Sequence, residues 1–337
     1  MTRWLLVHSP LLGPGSWAAV AADLQGAGDT VVVPDLRPAL TGGPGYAERQ
    51  AALAAEAALA EPVVVAGHSG AGPLLPSVVA ALAERGAPVE RCVFVDAGLP
   101  HPGRSRHSTL PPTLASHLDA LSEDGVVPPW PQWWSAEELA EVLPDAEVRA
   151  ALDADCPAMP VELFTEPLPP HDALPPTGYV QLSDGYADPA AAAEADGWPV
   201  IRLALDHLAL LTRPDEVGSG LRRVLAETSA LRNAARRHVA RFNRAVADGN
   251  WRAFADRFAE DATMRFTNLP VGPFVGRAQI LGGYEAQPPD DTMRIRSIDE
   301  RGPDSVDVAF AWDAGGDGTM RITWSGDLVA ELAITFG

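Results

Sequence analysis

A chain of 337 residues, 47% of them hydrophobic, can bury a large core, and at roughly 150 residues per domain it predicts two domains. Its 25 basic side chains are all arginine and face 45 acidic ones, for a formal net charge of −20; with no basic face, nucleic-acid binding is argued against, because phosphate attraction requires one. Two cysteines, Cys92 and Cys156, are too few for a disulfide framework and lack metal-site spacing, and nothing in the sequence requires a cofactor.

The N-terminal "MTRWLLVHSPLLGPG" has one arginine, a short apolar run and no small-residue cleavage site, so no export is implied. No apolar run approaches the roughly 18 residues of a membrane helix, and a soluble, cytoplasmic protein acting on a small molecule is expected. The arginine-only usage, with abundant Ala, Gly and Pro, is that of GC-rich bacterial sources.

Residues 3–7 and 30–33 are short apolar runs suited to strands, separated by "SWAAVAADLQGAG". There Trp17, Val20, Ala21 and Leu24 recur at helical spacing, Ser16 is placed to cap and Gly26 to stop the helix. A second helix is expected over 45–60, then a strand at 62–66, a helix after Ser69 and the strand "RCVFVD" at 91–96. Strands and helices in alternation, with continuous apolar strands, predict a parallel sheet covered on both faces. From about 100 to 160 the pattern breaks into proline-rich segments with short helices and Trp130, Trp133 and Trp134, which suggests a lid over a pocket. The sheet resumes with "GYVQLS" at 178–183, a helix through "DPAAAAEADG", and "WPVIRLAL", which leads to Asp206 and His207. The helix "PDEVGSGLRRVLAE" closes this half.

The stretch "VVVAGHSGAG" at 63–72 is a strand, a glycine turn and a helix start, the setting of a serine elbow. Together, "LLVHSPLLGPGSW", "GHSGAG" and "DHLALLTRPDEV" resemble the α/β-hydrolase superfamily, in particular its small lid-bearing esterase and hydroxynitrile-lyase-like branch, over residues 3–227. The resemblance implies Ser69 as nucleophile and His207, after the last strand, as its base. Ala71 stands where the motif has its second glycine, with Gly72 one later. For the acid, two places are used in the superfamily. Asp96 is favoured over Asp184 and Asp188, because a carboxylate at the tip of a buried apolar strand is costly without a charged partner. The oxyanion hole would use the Gly70 N–H and one from the loop after the first strand, where the usual His-Gly-X reads His8-Ser9-Pro10. Proline has no N–H, so Leu11 or the Ser9 hydroxyl must serve.

In the second half a long helix, "SALRNAARRHVARFNRAVADGN", precedes three or four strand-like runs, "TMRIRSI", "SVDVAFAWDA", "TMRITWS" and "LVAELAITF". Helices first and strands last predict an α+β unit with a curved antiparallel sheet. The words "DGNWRAFADRFAEDATMRF" and "GPFVGRAQILGGY" resemble the nuclear transport factor 2-like group with its SnoaL-like cyclases, over 229–337. That resemblance implies a conical pocket, for which Asp261, Tyr284, Asp299 and Trp312 are candidates, and pairing of the sheet with a second copy. The expectation is a serine hydrolase acting on a small apolar ester, thioester or lactone, with Trp130, Trp133 and Trp134 at the substrate and a homodimer formed through residues 229–337, the apolar strands around Trp312 and Trp324 supplying its face. A cyclase or lyase of secondary metabolism, and an inactive ligand-binding protein, are the alternatives.

Overall fold

A computed structural model describes residues 1–58 and 61–337. Two compact units are present, one of residues 1–193 and 200–227, the other of residues 194–199 and 228–337. Among the described residues no helix is long and apolar enough to cross a membrane.

The first unit is built on strands β1 (Arg3–Val7), β2 (Thr30–Val32), β3 (Val63–His68) and β4 (Val89–Val95), a small β5 (Val126–Val127) and β6 (Met159–Pro160), then β7 (Thr177–Gln181) and β8 (Val200–Arg202). Six of them form one sheet in the order β2-β1-β3-β4-β7-β8, every pairing parallel. The continuous apolar runs are explained by this: all six residues of β3 are buried, since both faces of a parallel sheet are covered. Helices α1 (Ala18–Gly26), α2 (Tyr46–Ala57) and α3 (Leu75–Glu84) follow the first three strands. Trp17, Val20 and Leu24 meet Trp4, Leu6, Val64 and Val93 in one apolar cluster. The helix expected to 60 is described to Ala57; positions 59 and 60 lie outside the described residues.

Two local expectations change. Residues Pro14–Trp17 wind into a 3-10 turn in which the Ser16 hydroxyl donates to Gly13 O at 2.8 Å, so Ser16 does not cap α1. Gly26 lies inside the helix, and Gly28, at φ 94°, takes the left-handed turn beyond it.

Between β4 and β7 the chain forms α4 (Pro112–Leu121), α5 (Ala136–Val142), α6 (Ala146–Asp155) and α7 (Glu162–Thr165), with β5 and β6 paired antiparallel. Helices α8 (Ala187–Ala195), α9 (Ala209–Thr212) and α10 (Pro214–Glu227) accompany the last two strands. Strand order reverses at β1, whose chain continues to β2 on one side and has β3 on the other. Loops leaving β1 and β3 therefore diverge, and a crevice opens at the carboxyl ends of the strands.

The second unit opens with α11 (Ala230–Asp248), whose N-cap Ser229 accepts from Arg232 N at 3.0 Å and whose C-terminus ends on Gly249 at φ 72°. Then come α12 (Trp251–Ala255), β9 (Phe258–Phe266), β10 (Phe274–Val275), α13 (Arg277–Ala286), β11 (Met293–Glu300), β12 (Ser305–Trp312), β13 (Asp317–Ser325) and β14 (Leu328–Phe336). The sheet order is β10-β9-β14-β13-β12-β11, and it is mixed, because β14 pairs β9 in parallel. Strands β9 and β10 were not expected from the sequence, where acidic Glu260 and Asp261 interrupt the apolar alternation of "FAEDATMRF". Along β12 and β13 the even-numbered residues are buried, except the partly buried Trp312 and Trp324, and the odd-numbered ones are not. The inner row, Val306, Val308, Phe310, Met320 and Ile322, packs on Phe242, Phe254 and Phe258. The outer row is polar: Asp307 accepts from Arg301 Nε and Arg321 Nε, each at 2.7 Å, and Arg265 pairs with Glu331 at 2.8 Å. Trp312 and Trp324 pack on the unit's own core.

Candidate active site

Strand β3 ends at His68, and Ser69 follows at φ 57°, a left-handed conformation that a side chain adopts only when its surroundings impose it. Residues Ser69–Leu74 turn as a 3-10 helix into α3. This sharp turn needs two glycines. A Cβ on Gly67 would lie 2.7 Å from Leu75 Cδ2, and one on Gly72 would lie 2.1 Å from Gly98 O. Ala71 is fully buried without such a conflict, so the close approach falls at Gly72.

Asp96 follows β4 at φ 43° and is wholly buried. Its Oδ1 accepts from Leu182 N at 2.8 Å and Ser183 N at 3.0 Å, and its Oδ2 from the Ser183 hydroxyl at 2.6 Å. Burial alone pushes such a carboxyl up, but the bonds from His207 and Ser183 outweigh it and hold Asp96 below the usual carboxylate range.

His207 sits in the loop between β8 and α9, where the Asp206 side chain turns the backbone by accepting from Leu208 N at 2.8 Å. Its Nδ1 is 2.8 Å from Asp96 Oδ2 and its Nε2 is 3.0 Å from Ser69 Oγ. An ionised carboxylate only accepts, so Nδ1 carries the proton and Nε2 presents a lone pair to the serine hydroxyl. The arrangement is that of an alcohol beside a base whose tautomer is set by an acid, which is chemically equipped for nucleophilic attack. Asp184 and Asp188, the alternative acids, are exposed.

Three side chains that sequence reasoning missed complete the surroundings. Tyr186 stacks on His207, with ring centroids 4.8 Å apart and 10° between planes, and its hydroxyl lies 3.4 Å from Ser69 Oγ. Burial pushes that phenol up, so it stays protonated. The His68 ring lies 4.6 Å from the His207 ring and donates Nε2–H to the His207 carbonyl at 3.0 Å. Burial, and then the proximity of His207, lower His68 to about 3, which keeps it neutral beside the base. Ser183 is the third, through its bonds to Asp96. The only sequence signal for Tyr186 and Ser183 was their place in "LSDGYADP", just beyond a strand end.

The loop after β1 is folded on itself beside Gly70. A Cβ on Gly70 would be 3.1 Å from Ser9 Oγ and 3.3 Å from Pro10 Cδ. His8 Nδ1 donates to Ser9 O at 2.8 Å, while Leu11 N–H donates to Ser9 Oγ at 3.3 Å. Ser9 is fully buried, and a hydroxyl that accepts one bond still has a proton to give. His8 Nε2 accepts from Leu36 N at 3.0 Å, and burial lowers its pKa; this histidine is committed to the loop.

Trp130 packs with Leu12, Leu143, Leu152 and Leu208, the residue after His207. Trp133 packs with Leu118, Val127, Met159 and Phe164, and its indole donates to Pro128 O at 2.8 Å. Leu11 borders both clusters. Trp134, in contrast, is 42% exposed, touching Trp130 and His117. Both cysteines are buried and free. Among the described residues, no three His, Cys, Asp or Glu side chains converge as metal ligands.

The second unit has its own cavity of about 280 Å³, walled largely by apolar side chains such as Phe242, Phe310, Trp312 and Phe336, with His238, Tyr284, Asp290 and Asp291 as polar groups. Tyr284 and Trp312 thus line it as expected, whereas Asp261 and Asp299 are exposed on their strands and do not.

The profile of the Alpha/beta hydrolase family matches residues 4–220, and that of the SnoaL-like domain matches residues 239–332. No curated protein gives a significant match. Among solved structures, an extracellular alpha/beta-hydrolase from a Paenibacillus species, described as sharing structural and functional homology with tobacco salicylic acid binding protein 2, superposes with a TM-score of 0.55. It is 17% identical, over 66% of this chain and 99% of that one. Tomato methylketone synthase I, complexed with 2-tridecanone, gives 0.51 at 16% identity, over 68% and 99%. A pyrethroid hydrolase from Sphingobium faniae gives 0.50 at 19% identity, over 66% and 96%. At these identities the likeness speaks to the fold.

Proposed function

The chain belongs to the alpha/beta hydrolase family, and from that premise we propose that its first unit is a serine hydrolase that cleaves a small apolar ester, thioester or lactone. The observation that carries the reading is the unbroken hydrogen-bonded path from Asp96 through His207 to Ser69, at 2.8 and 3.0 Å. Ser69 Oγ adds to the substrate carbonyl while its proton passes to His207 Nε2. Asp96, buried and ionised, orients the imidazole and stabilises the imidazolium that forms.

The negative oxygen of the adduct is held by the Gly70 N–H, at the start of a helix where such groups have no internal acceptor, and by Leu11 N–H or the Ser9 hydroxyl bonded to it. His207 then returns the proton to the departing alkoxide or thiolate. A water attacks the acyl-serine by the same route, releasing the acid and restoring Ser69. The insertion between β4 and β7 receives the apolar body of the substrate, through Trp130 and Trp133, with Trp134 at its outer edge.

A second reading, that the chain holds or rearranges a ligand without an acyl intermediate, is favoured by one observation: the apolar cavity in the other unit. A fluorophosphonate probe separates the two. Stoichiometric labelling of Ser69 in the full chain, abolished in Ser69→Ala and His207→Ala, is expected; a folded protein that takes no label points to lyase, cyclase or binding chemistry.

A further inference from the structure

Three arginines of the second unit converge at a pocket that takes no part in the proposed hydrolysis. Arg237 and Arg241 stand one turn apart on α11, and Arg257 stands in the turn just before β9. All three line a pocket of about 370 Å³. Side chains at i and i+4 on a helix face each other, so like charges there repel. In a chain that carries 45 acidic residues, compensation would be easy to arrange. Yet among the described residues none of the three guanidinium groups forms an ion pair. Arg257 Nη2 reaches only the Asp327 carbonyl, at 3.5 Å, and its Nε is buried with no partner. Asp304 and Asp327 line the same pocket and set part of the charge off. Burial, followed by the fields of Arg257, Arg237 and Arg244, pushes Arg241 down; burial also lowers Arg237, against the pull of Asp327.

The remaining walls are mostly apolar, with Leu231, Trp324 and Val329 among them, and among the described residues His238 is the one further titratable group lining the pocket. A single inorganic oxyanion would fill little of such a volume, since even a water claims about 30 Å³. We propose that this pocket binds a small organic anion, its phosphate or carboxylate gripped by Arg237, Arg241 and Arg257 and its apolar body laid against Trp324. Guanidinium groups suit this chemistry: their planar forks match the oxygens of both anions and give up hydration readily. The site is separate from the Ser69 chemistry and does not rest on it.

The test is a titration of the full chain with phenyl phosphate, benzoate and, as a neutral control, benzyl alcohol, read by tryptophan fluorescence and by thermal denaturation. Saturable binding of an anion with a silent alcohol is expected; the tighter of the two anions assigns the head group. Arg241→Gln should weaken that binding about tenfold or more, the loss of one charge-assisted bond, while its melting temperature without ligand stays the same or rises because a repulsion is removed. Trp324→Phe should remove the fluorescence change and keep the thermal shift. No saturable binding at millimolar anion overturns the proposal, as does an equal response to benzyl alcohol. An Arg241→Gln protein that melts lower unliganded and binds the anion as before overturns it too, since the arginine is then structural.

Discussion

Ser69 and His207 act on one proton, and their losses should not add. Ser69→Ala and His207→Ala are each expected to lower ester turnover by about 10³ or more, with the double variant little worse than either. Additive losses, measured as kcat/KM on a chromogenic ester, would end the assignment of a shared role. The acid can be ranked in the same assay: Asp96→Asn removes the acceptor that fixes the Nδ1 tautomer and should cost far more than Asp188→Asn, whose carboxylate is exposed. At this scale the sequence carried part of the site. A serine after "VVVAGH" and a histidine after a strand are local patterns. The choice of Asp96 rested on the cost of burying a carboxylate, and the structure does bury it. Tyr186 and Ser183 were not legible, because each earns its place only by a contact with a residue distant in the chain.

At the scale of elements, the elbow depends on how near α3 comes to the strands. Gly72→Ala would drive a methyl to 2.1 Å from Gly98 O, a backbone atom that cannot step aside. Overpacking of this kind costs about 1–3 kcal/mol, and a melting temperature lower by several degrees is expected. Gly26→Ala, at the end of α1 with nothing within 4 Å of the new methyl, should instead leave the melting temperature unchanged or raise it. If both substitutions behave alike, the close approach is not what Gly72 provides.

Helix α11 offers a second test. His238 on its inner face is lowered to about 4, first by burial and then by Arg241, so the folded protein keeps it neutral where the unfolded chain protonates it near 6.5. The unfolded state then binds more protons between those values, and stability must fall as pH drops from 6.5 to 4, by up to about 3 kcal/mol. Urea melts of the wild type and of His238→Gln across that window should show a shallower loss in the variant. Parallel losses would mean that His238 does not carry the dependence.

For the whole molecule, assembly through residues 229–337 remains our proposal, but its chemistry differs from the expected apolar face. Trp312 and Trp324 are half-buried against the unit's own core, and the open side of the sheet carries Asp307, Arg321, Arg265 and Glu331 in cross-strand pairs. A dimer formed on such a face would be salt-sensitive, since screening shortens to about 3 Å at 1 M. Light scattering should find a dimeric full chain at low salt that dissociates as salt rises, and a monomer for a chain ending at Glu227. A dimer from the shorter chain would place assembly elsewhere.

What the sequence by itself determined was whatever neighbours in the chain decide: the alternating strands and helices of the first unit, the long helix that opens the second, the alternating pattern of the last strands, and the serine turn. Those patterns are set by local hydrogen bonding and by one face or both being buried, and they survive any rearrangement of the parts. The tertiary structure decided what lies far apart along the chain. Asp96 reaches His207 across 111 positions and Ser69 reaches it across 138, because the order β2-β1-β3-β4-β7-β8 brings three loops to one edge of the sheet. In the same way β9 joined its sheet by pairing in parallel with β14, some 70 residues later, and three arginines met at one pocket. Local periodicity holds no record of strand order; only the packed sheet brings those side chains together.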